Sequence, residues 1–358
     1  MLKTKSIEPK RILICRLSAI GDCVLTIPLA VKAKELWPNC KLSWVVDCAA
    51  AQLLQSHPCI DEVIKIERHW VKNLKLWKTL RRELQDRKFD LTLDPQGLIK
   101  SGLLAWLSGA KARVGFDYSQ ARELAPLLAN QRVARTQRHM VDTYLELLST
   151  WSPTETSPTE TGSAEFRMPV YEAAANVPSL MQASGFAAQE LFACMTPGAG
   201  WASKLWPVDR FAEVARFLRS KHNLRSVVLW AGESEKKLAD EIASRSQGAA
   251  LVAPRTSLTE LAEIARRAKL FLAGDTGPLH IAAAVGAPCV GLFGSTWADE
   301  SGPYGPHNVA VQSPKLPGLR GRMRSSDNSA MLAIEVDEVC MVCTRVLNSE
   351  PHVSHYAA

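Results

Sequence analysis

The chain has 358 residues, enough for about two domains. Its 47% apolar and 22% charged residues exclude wholesale disorder, collagen and coiled coil, and no apolar run approaches the ~18 residues of a membrane span. The net charge of +7 is unevenly placed: residues 1–150 hold 24 basic against 15 acidic side chains, which predicts an anionic partner for the first half.

Residues 1–11 are basic with no apolar core behind them, so no signal peptide is expected and the protein is expected to be cytoplasmic. Residues 11–17 (RILICRL) read as a short apolar strand, and residues 21–37 as a helix. Further strands are expected at 41–47 (KLSWVVD), 62–66 and 90–94 (DLTLD), with a helix of about 17 residues from Trp70 between the last two. Residues 152–162 (SPTETSPTETG) are a tandem polar repeat that cannot pack a core and read as a linker or surface insertion. Strands resume at 191–197, 226–232, 270–275 and 288–294, with helices between them, and a final helix is expected at 336–347. Continuous apolar strands alternating with helices predict parallel sheets covered on both faces. The expected architecture is two doubly wound, Rossmann-like α/β domains facing a cleft: residues 1–165, then 166–330. Residues 331–358 are expected to pack back on the first domain.

Nine cysteines, most in apolar stretches, suit buried reduced thiols better than a disulfide frame. Cys340 and Cys343 have CxxC spacing, but no second pair completes a zinc site; they read as two cysteines on the last helix.

Ligands of open α/β sheets bind at the carboxyl ends of the strands, which singles out four segments. The first is Arg16-Leu17-Ser18-Ala19-Ile20-Gly21-Asp22, a tight turn into a helix. Asp22 either caps that helix and complements its dipole or acts as a general base. The second is the Gly-rich loop 196–207 (TPGAGWASKLWP), whose amides and single lysine, Lys204, suit a phosphate although no Walker pattern follows. The third is residues 270–283 (LFLAGDTGPLHIAA). There Asp275 or Thr276 can cap a helix with Pro278 in its first turn, and the amides of Thr276 and Gly277 offer a diphosphate seat, with His280 one turn on. The fourth is Gly232-Glu233, an acid placed to accept ribose hydroxyls, with Thr256 near a base pocket. In the first half, Lys72 to Arg82 read as the solvated face of an amphipathic helix. Arg68 and His69 lie nearer the strand ends and, with Lys100, Arg122, Arg138 and His139, can meet an anionic acceptor or lipid head groups.

With these pieces in order, the chain resembles the ADP-heptose–lipopolysaccharide heptosyltransferases, glycosyltransferase family nine, with a two-domain GT-B fold. The matching stretches are RLSAIGD (16–22), DPQGLIKSG (94–102), PGAGWASKLWP (197–207), WAGESEK (230–236), GDTGPLHIAAA (274–284) and GLFGSTWADESGPYG (291–305), spanning nearly the whole chain. The QGLIKSG stretch and QARE at 120–123 are most similar to the first heptosyltransferase, which acts on the Kdo-bearing inner core; that subtype often carries His where this chain has Leu25. The resemblance implies inverting transfer of heptose from ADP-heptose to Kdo–lipid A at the inner membrane surface, with Asp22 as base. It implies donor contacts at Gly200, Lys204, Gly232, Glu233, Thr256, Asp275, Thr276, Gly277 and His280. It places acceptor contacts at Ser18, Gly21, Arg68, Gln96, Lys100, Arg122 and His139. No DxD-type motif is evident, so no obligatory metal or other cofactor is expected, and no nucleic-acid partner. Rivals are a nicotinamide oxidoreductase, which lacks its GxGxxG here, a GT-B sugar-nucleotide epimerase, a related glycosyltransferase with another acceptor, and a non-catalytic nucleotide-sugar binder.

Overall fold

In the computed structural model, which describes residues 8–118, 123–151, 164–315 and 327–349, each apolar run ends where a helix begins. The first unit, Met1–Pro169, contains β1 (Arg11–Cys15), α1 (Ile20–Leu36), β2 (Lys41–Val46), α2 (Ala51–Leu54), β3 (Glu62–Lys65), α3 (Leu74–Asp86), β4 (Leu91–Asp94), α4 (Ile99–Leu107), β5 (Ala112–Phe116), β6 (Gln131–Val133) and α5 (Met140–Leu145). The second unit, Val170–Ala358, contains α6 (Val177–Ala183), β7 (Phe192–Thr196), α7 (Val208–His222), β8 (Arg225–Val228), α8 (Gly232–Arg245), β9 (Ala250–Val252), α9 (Leu258–Arg267), β10 (Leu270–Gly274), α10 (Gly277–Ala284), β11 (Cys289–Phe293), α11 (Ala298–Ser301), β12 (Val309–Gln312), α12 (Ser329–Leu332) and α13 (Val336–Asn348).

The two sheets share one topology. The first runs β3-β2-β1-β4-β5-β6 and the second β12-β11-β10-β7-β8-β9, with every pairing parallel. Strands β1, β7, β10 and β11 are buried almost from end to end, as central strands covered on both faces must be. In each sheet the winding reverses between two neighbours, β1 and β4 in the first and β7 and β10 in the second. Loops leaving such a pair at their carboxyl ends diverge and open a crevice. The Asp22 turn and the Gln96 loop leave one pair; the Lys204 loop and the Asp275 turn leave the other.

Three expectations are corrected. The helix expected from Trp70 is broken: Trp70–Lys72 forms a 3-10 turn, and Asn73 then caps α3 by accepting the amides of Lys75 (3.0 Å) and Leu76 (3.4 Å). An asparagine satisfying two free amides starts a new helix more cheaply than it continues an old one. The final helix was expected on the first domain, yet its apolar face is buried within the second unit. Its apolar stripe (Val339, Cys340, Val342, Cys343 and Val346) belongs to the core of the second unit, with Leu272, Val290 and Leu292 of its strands and Phe211 and Val214 of α7. Strands β5, β6, β9 and β12 were not anticipated. They are three to five residues long and lie toward the sheet edges, where backbone pairing rather than an apolar run defines a strand.

The boundary between units falls at Pro169, close to the expected 165. The repeat at 152–162 and Arg122 lie outside the described residues. Leu25 is buried in α1, where a histidine would need a polar partner. All nine cysteines carry free thiols, and all but Cys48 are buried. Among the described residues no helix is long and apolar enough to cross a membrane.

Candidate active site

In the first unit the turn after β1 is organised by a buried arginine. Arg16 places Nη2 2.8 Å from Oδ2 of Asp22, donates from Nη1 to the Pro95 carbonyl (3.1 Å) and lies over the Tyr144 ring at 5.3 Å. Burial works against its charge, but Asp22 and Tyr144 more than offset this and raise the guanidinium pKa further above its ordinary value. Asp22 sits in the first turn of α1, and its Oδ2 also accepts the Ala19 amide at 3.2 Å. Both interactions fall on Oδ2, and the side chain is 42% exposed. Asp22 therefore does what the cap reading expected while still presenting a carboxylate oxygen outward.

Gln96 holds the same turn from β4, its Oε1 accepting the Leu17 amide at 2.7 Å. Gly21 is buried in the first turn of α1, beside half-buried Ser18. Asp94 in turn accepts the amides of Gln96 (3.1 Å) and Gly97 (3.0 Å). Arg68 and His69 from one stretch and Lys100 from another, all exposed, come close enough to Asp47 at the end of β2 to oppose the burial that raises its carboxyl. Three of the residues expected to meet an anionic acceptor thus lie together around Asp47. His139 is committed to structure: its Nδ1 accepts the Val141 amide at 3.2 Å and caps α5. Arg138 is exposed one residue earlier.

Burial raises the Asp94 carboxyl to about 6, against the Ser101, Gly97 and Gln96 hydrogen bonds and the Arg16 charge that pull it down. A carboxyl raised in the fold favours the folded state while protonated. Its contribution is present below about pH 4 and is lost as pH rises toward and past 6, by about 3 kcal/mol. Asp94→Asn should gain stability relative to the parent chain between pH 4 and 7, read as the difference in urea midpoints. A difference that stays flat across that range contradicts the assignment.

In the second unit three side chains from two strand ends form a largely buried array. Lys204 Nζ lies 2.5 Å from Asp275 Oδ2 and donates to the Asp275 carbonyl at 3.3 Å. Its ammonium also lies 4.8 Å from the Trp201 ring centroid. His280 Nε2 is 3.4 Å from Asp275 Oδ1. Burial would raise the Asp275 carboxyl, but the His280 hydrogen bond and the Lys204 charge win and hold it far below the usual carboxylate range. Thr276 occupies the N-cap position of α10, yet neither it nor Asp275 caps the helix as expected. The Thr276 hydroxyl donates to the Gly274 carbonyl (3.3 Å), and no side chain caps the helix start. Gly277 opens α10 and Pro278 follows in its first turn.

Buried polar atoms without a partner gather around this array: His280 Nδ1, Thr196 Oγ1 at the end of β7, and the hydroxyls of Ser295 and Thr296 just after β11. Buried polar groups are normally paired, and these four atoms at neighbouring strand ends are left able to meet a polar ligand. Sequence reading did not single out Ser295 and Thr296, although both lie within GLFGST; only the parallel order β11-β10-β7 brings them beside Asp275.

Gly198 closely approaches an acidic side chain of α8. An added Cβ would lie 2.1 Å from Cδ of Glu235, which also accepts the Ala231 amide at 2.8 Å. Burial raises the Glu235 carboxyl. The expected ribose acid, Glu233, is exposed at the start of α8, where Gly232 adopts a φ of +74°. Gly200 has open space around it, and Thr256 is half-buried just before Ser257, which caps α9. A depression lined by Glu190, Arg219, Arg225 and Gln247 lies at the opposite, amino-terminal ends of β7 and β8, where α/β sheets do not place ligands. Among the described residues no three His, Cys, Asp or Glu side chains are grouped to hold a metal.

The family model described as glycosyltransferase family 9 (heptosyltransferase) matches residues 77–328. Lipopolysaccharide heptosyltransferase 1 of Pseudomonas aeruginosa is 29% identical over 320 residues, covering 85% of this chain and 84% of its own length. The Escherichia coli K12 protein of the same name is 29% identical over 323 residues, covering 85% of this chain and 94% of its own. The solved structure of E. coli heptosyltransferase WaaC with ADP aligns with a TM-score of 0.77 at 24% identity, over 94% of this chain and 99% of that one. That of E. coli ADP-heptose lps heptosyltransferase II aligns at 0.74 and 19% identity, over 94% and 98%.

Proposed function

The chain belongs to glycosyltransferase family 9 and has its GT-B fold, and from that membership we propose that it moves a heptose from ADP-heptose to the Kdo-bearing inner core of lipopolysaccharide, with inversion. Relatives named lipopolysaccharide heptosyltransferase 1 match most of the chain, and WaaC has been solved with ADP-2-deoxy-2-fluoro heptose. The observation that carries the reading is the Lys204–Asp275–His280 array at the switch point of the second sheet, beside an uncapped helix start.

In this reading each group has a chemical task. An ammonium has three N–H donors; Asp275 takes two from Lys204, and the third meets the diphosphate. The amides at the start of α10 meet the same charge. His280 faces Asp275 through Nε2 and leaves Nδ1 to meet a sugar hydroxyl. Asp22 takes the acceptor hydroxyl proton on Oδ1 as the new C–O bond forms at the anomeric carbon. The bond from that carbon to the diphosphate oxygen breaks, and ADP leaves with the electron pair. Charge growing on the leaving group is stabilised by donors already in place, which makes a metal ion dispensable. Arg68, Lys100 and their neighbours face the anionic acceptor, which would be met at the cytoplasmic face of the inner membrane.

The test is mass analysis after incubating the protein with ADP-heptose and Kdo–lipid A. One heptose should be added to the acceptor, with ADP released, and the same yield is expected in EDTA. Conversion of ADP-heptose without acceptor would instead establish an epimerase, and no conversion at all would leave only a binder.

A further inference from the structure

The first unit carries an exposed apolar surface that the transfer chemistry does not use. On α4, Ile99 is 41% and Trp106 47% exposed. They lie seven residues apart on one helix face, with Gly102 between them on the same stripe. The 3-10 turn Ala125–Leu127 packs at that glycine: an added Cβ would sit 3.1 Å from Leu128 Cδ1 and 3.5 Å from the Ala125 carbonyl. The turn brings Leu124 (63% exposed) and Leu127 (61%) to the same surface. Glu123, the residue before Leu124, accepts the Ile99 amide at 2.7 Å and fastens the two segments together. The opposite side of α4, including Leu104, Ala105 and Leu107, is buried in the core, so the exposed stripe is surplus to folding.

This surface has a basic margin. Arg81 of α3 stands over the Trp106 ring at 5.9 Å, and Arg132 over the exposed Tyr118 ring at 5.0 Å. Lys75, Lys78 and Arg82 lie exposed on α3 alongside Arg81. Aliphatic side chains flanked by Trp and Tyr rings and rimmed by Arg and Lys suit the interfacial zone of a bilayer. There the rings settle among head groups, the aliphatic groups enter the acyl boundary and the cations meet lipid phosphates. A soluble protein partner with an acidic rim would share the charge but has no need of the paired aromatic belt.

We propose that the α4 stripe and the Leu124–Leu127 turn are the surface by which this protein docks on a membrane bearing anionic phospholipid. For its biological setting the proposal rests on the lipid-linked acceptor inferred above; the apolar patch and its basic rim argue for it separately.

The test is co-sedimentation of the full chain with vesicles of phosphatidylethanolamine and phosphatidylglycerol, against vesicles of phosphatidylcholine alone. The parent chain should sediment with the anionic vesicles and be released by salt. Trp106→Ser should weaken partition about tenfold, as loss of one inserted large side chain does, and Leu124→Ser with Leu127→Ser, which removes two, about a hundredfold. Arg81→Glu with Arg82→Glu should abolish the preference for anionic lipid. All these variants should keep parental turnover on a water-soluble Kdo-terminated acceptor and parental thermal unfolding. Equal partition of the parent chain and the two apolar variants overturns the proposal. So does a concentration-dependent dimer, seen by sedimentation velocity and lost in Trp106→Ser, without vesicle binding. Should the parent chain bind vesicles yet transfer no heptose, the reading of the reaction fails while the docking surface stands.

Discussion

Asp22→Ala is expected to lower turnover by about 10²–10⁴-fold, the usual worth of a general base, while ADP affinity stays within a factor of about two. The reason is geometric. Asp22 belongs to the first unit, whereas the array assigned to the donor diphosphate belongs to the second. Removing the carboxylate takes away the proton acceptor and leaves the phosphate contacts alone. It also takes Arg16's carboxylate partner away, and a buried guanidinium stripped of its partner destabilises the fold; exposure of Asp22 moderates that cost. Asp22→Asn separates the two effects. Its amide oxygen can still accept the Ala19 amide, but it cannot take a proton. Turnover of Asp22→Asn should fall as far as that of Asp22→Ala, with thermal unfolding closer to the parent chain. Near-parental turnover in either variant removes Asp22 from the reaction.

Lys204→Met should weaken ADP binding and lower kcat/KM together by about 10²–10³-fold, as expected when a preorganised donor to a developing charge is lost. Calorimetric titration with ADP and steady-state kinetics measure the two halves separately. An unchanged ADP affinity would place the lysine outside the donor site and reduce it to the structural partner of Asp275. The variant also has a signature in stability. Asp275 ionises in the fold far below its ordinary range because of His280 and Lys204. A carboxyl depressed in this way stabilises the fold above its unfolded pKa and loses that contribution as pH falls through the folded one. The stability gap between the parent chain and Lys204→Met should therefore be full at neutral pH and close on acidification. A gap that stays constant into acid would mean that the 2.5 Å pair does not act on the Asp275 charge in solution.

Much of the fold was legible in the chain itself. Runs such as RILIC and LFLAG are apolar on both strand faces, and only a sheet covered on both sides accepts that pattern. The turns that follow them carry Gly, Asp, Thr and Pro at the start of a helix, so the places where ligands meet backbone amides could be named before any coordinates. Family membership was equally legible, because the motifs recur in order along the chain.

The partners of the site residues were not. Asp22, Lys204 and Asp275 could be named from the chain, but not that Arg16 would hold the first or that the other two would pair across 71 residues. Glu235 shows the same limit: Glu233, two residues earlier, fits the motif as well, and only the fold separates them, through burial, the Ala231 amide and the 2.1 Å approach to a Cβ at Gly198. The last helix shows it at larger scale, since a stripe of Val and Cys says that one face must be buried but not against which sheet.

Hydrophobic periodicity and turn chemistry are properties of a few consecutive residues, so the sequence by itself determined the strands, the helices and the loops between them where a ligand can bind. Which charge neutralises which, which hydroxyls are left unpaired, and which apolar surface stays uncovered depend on strand order and on contacts between distant segments. Those were decided only when the two sheets wound, because Coulomb energy and burial act through space and take no account of separation along the chain.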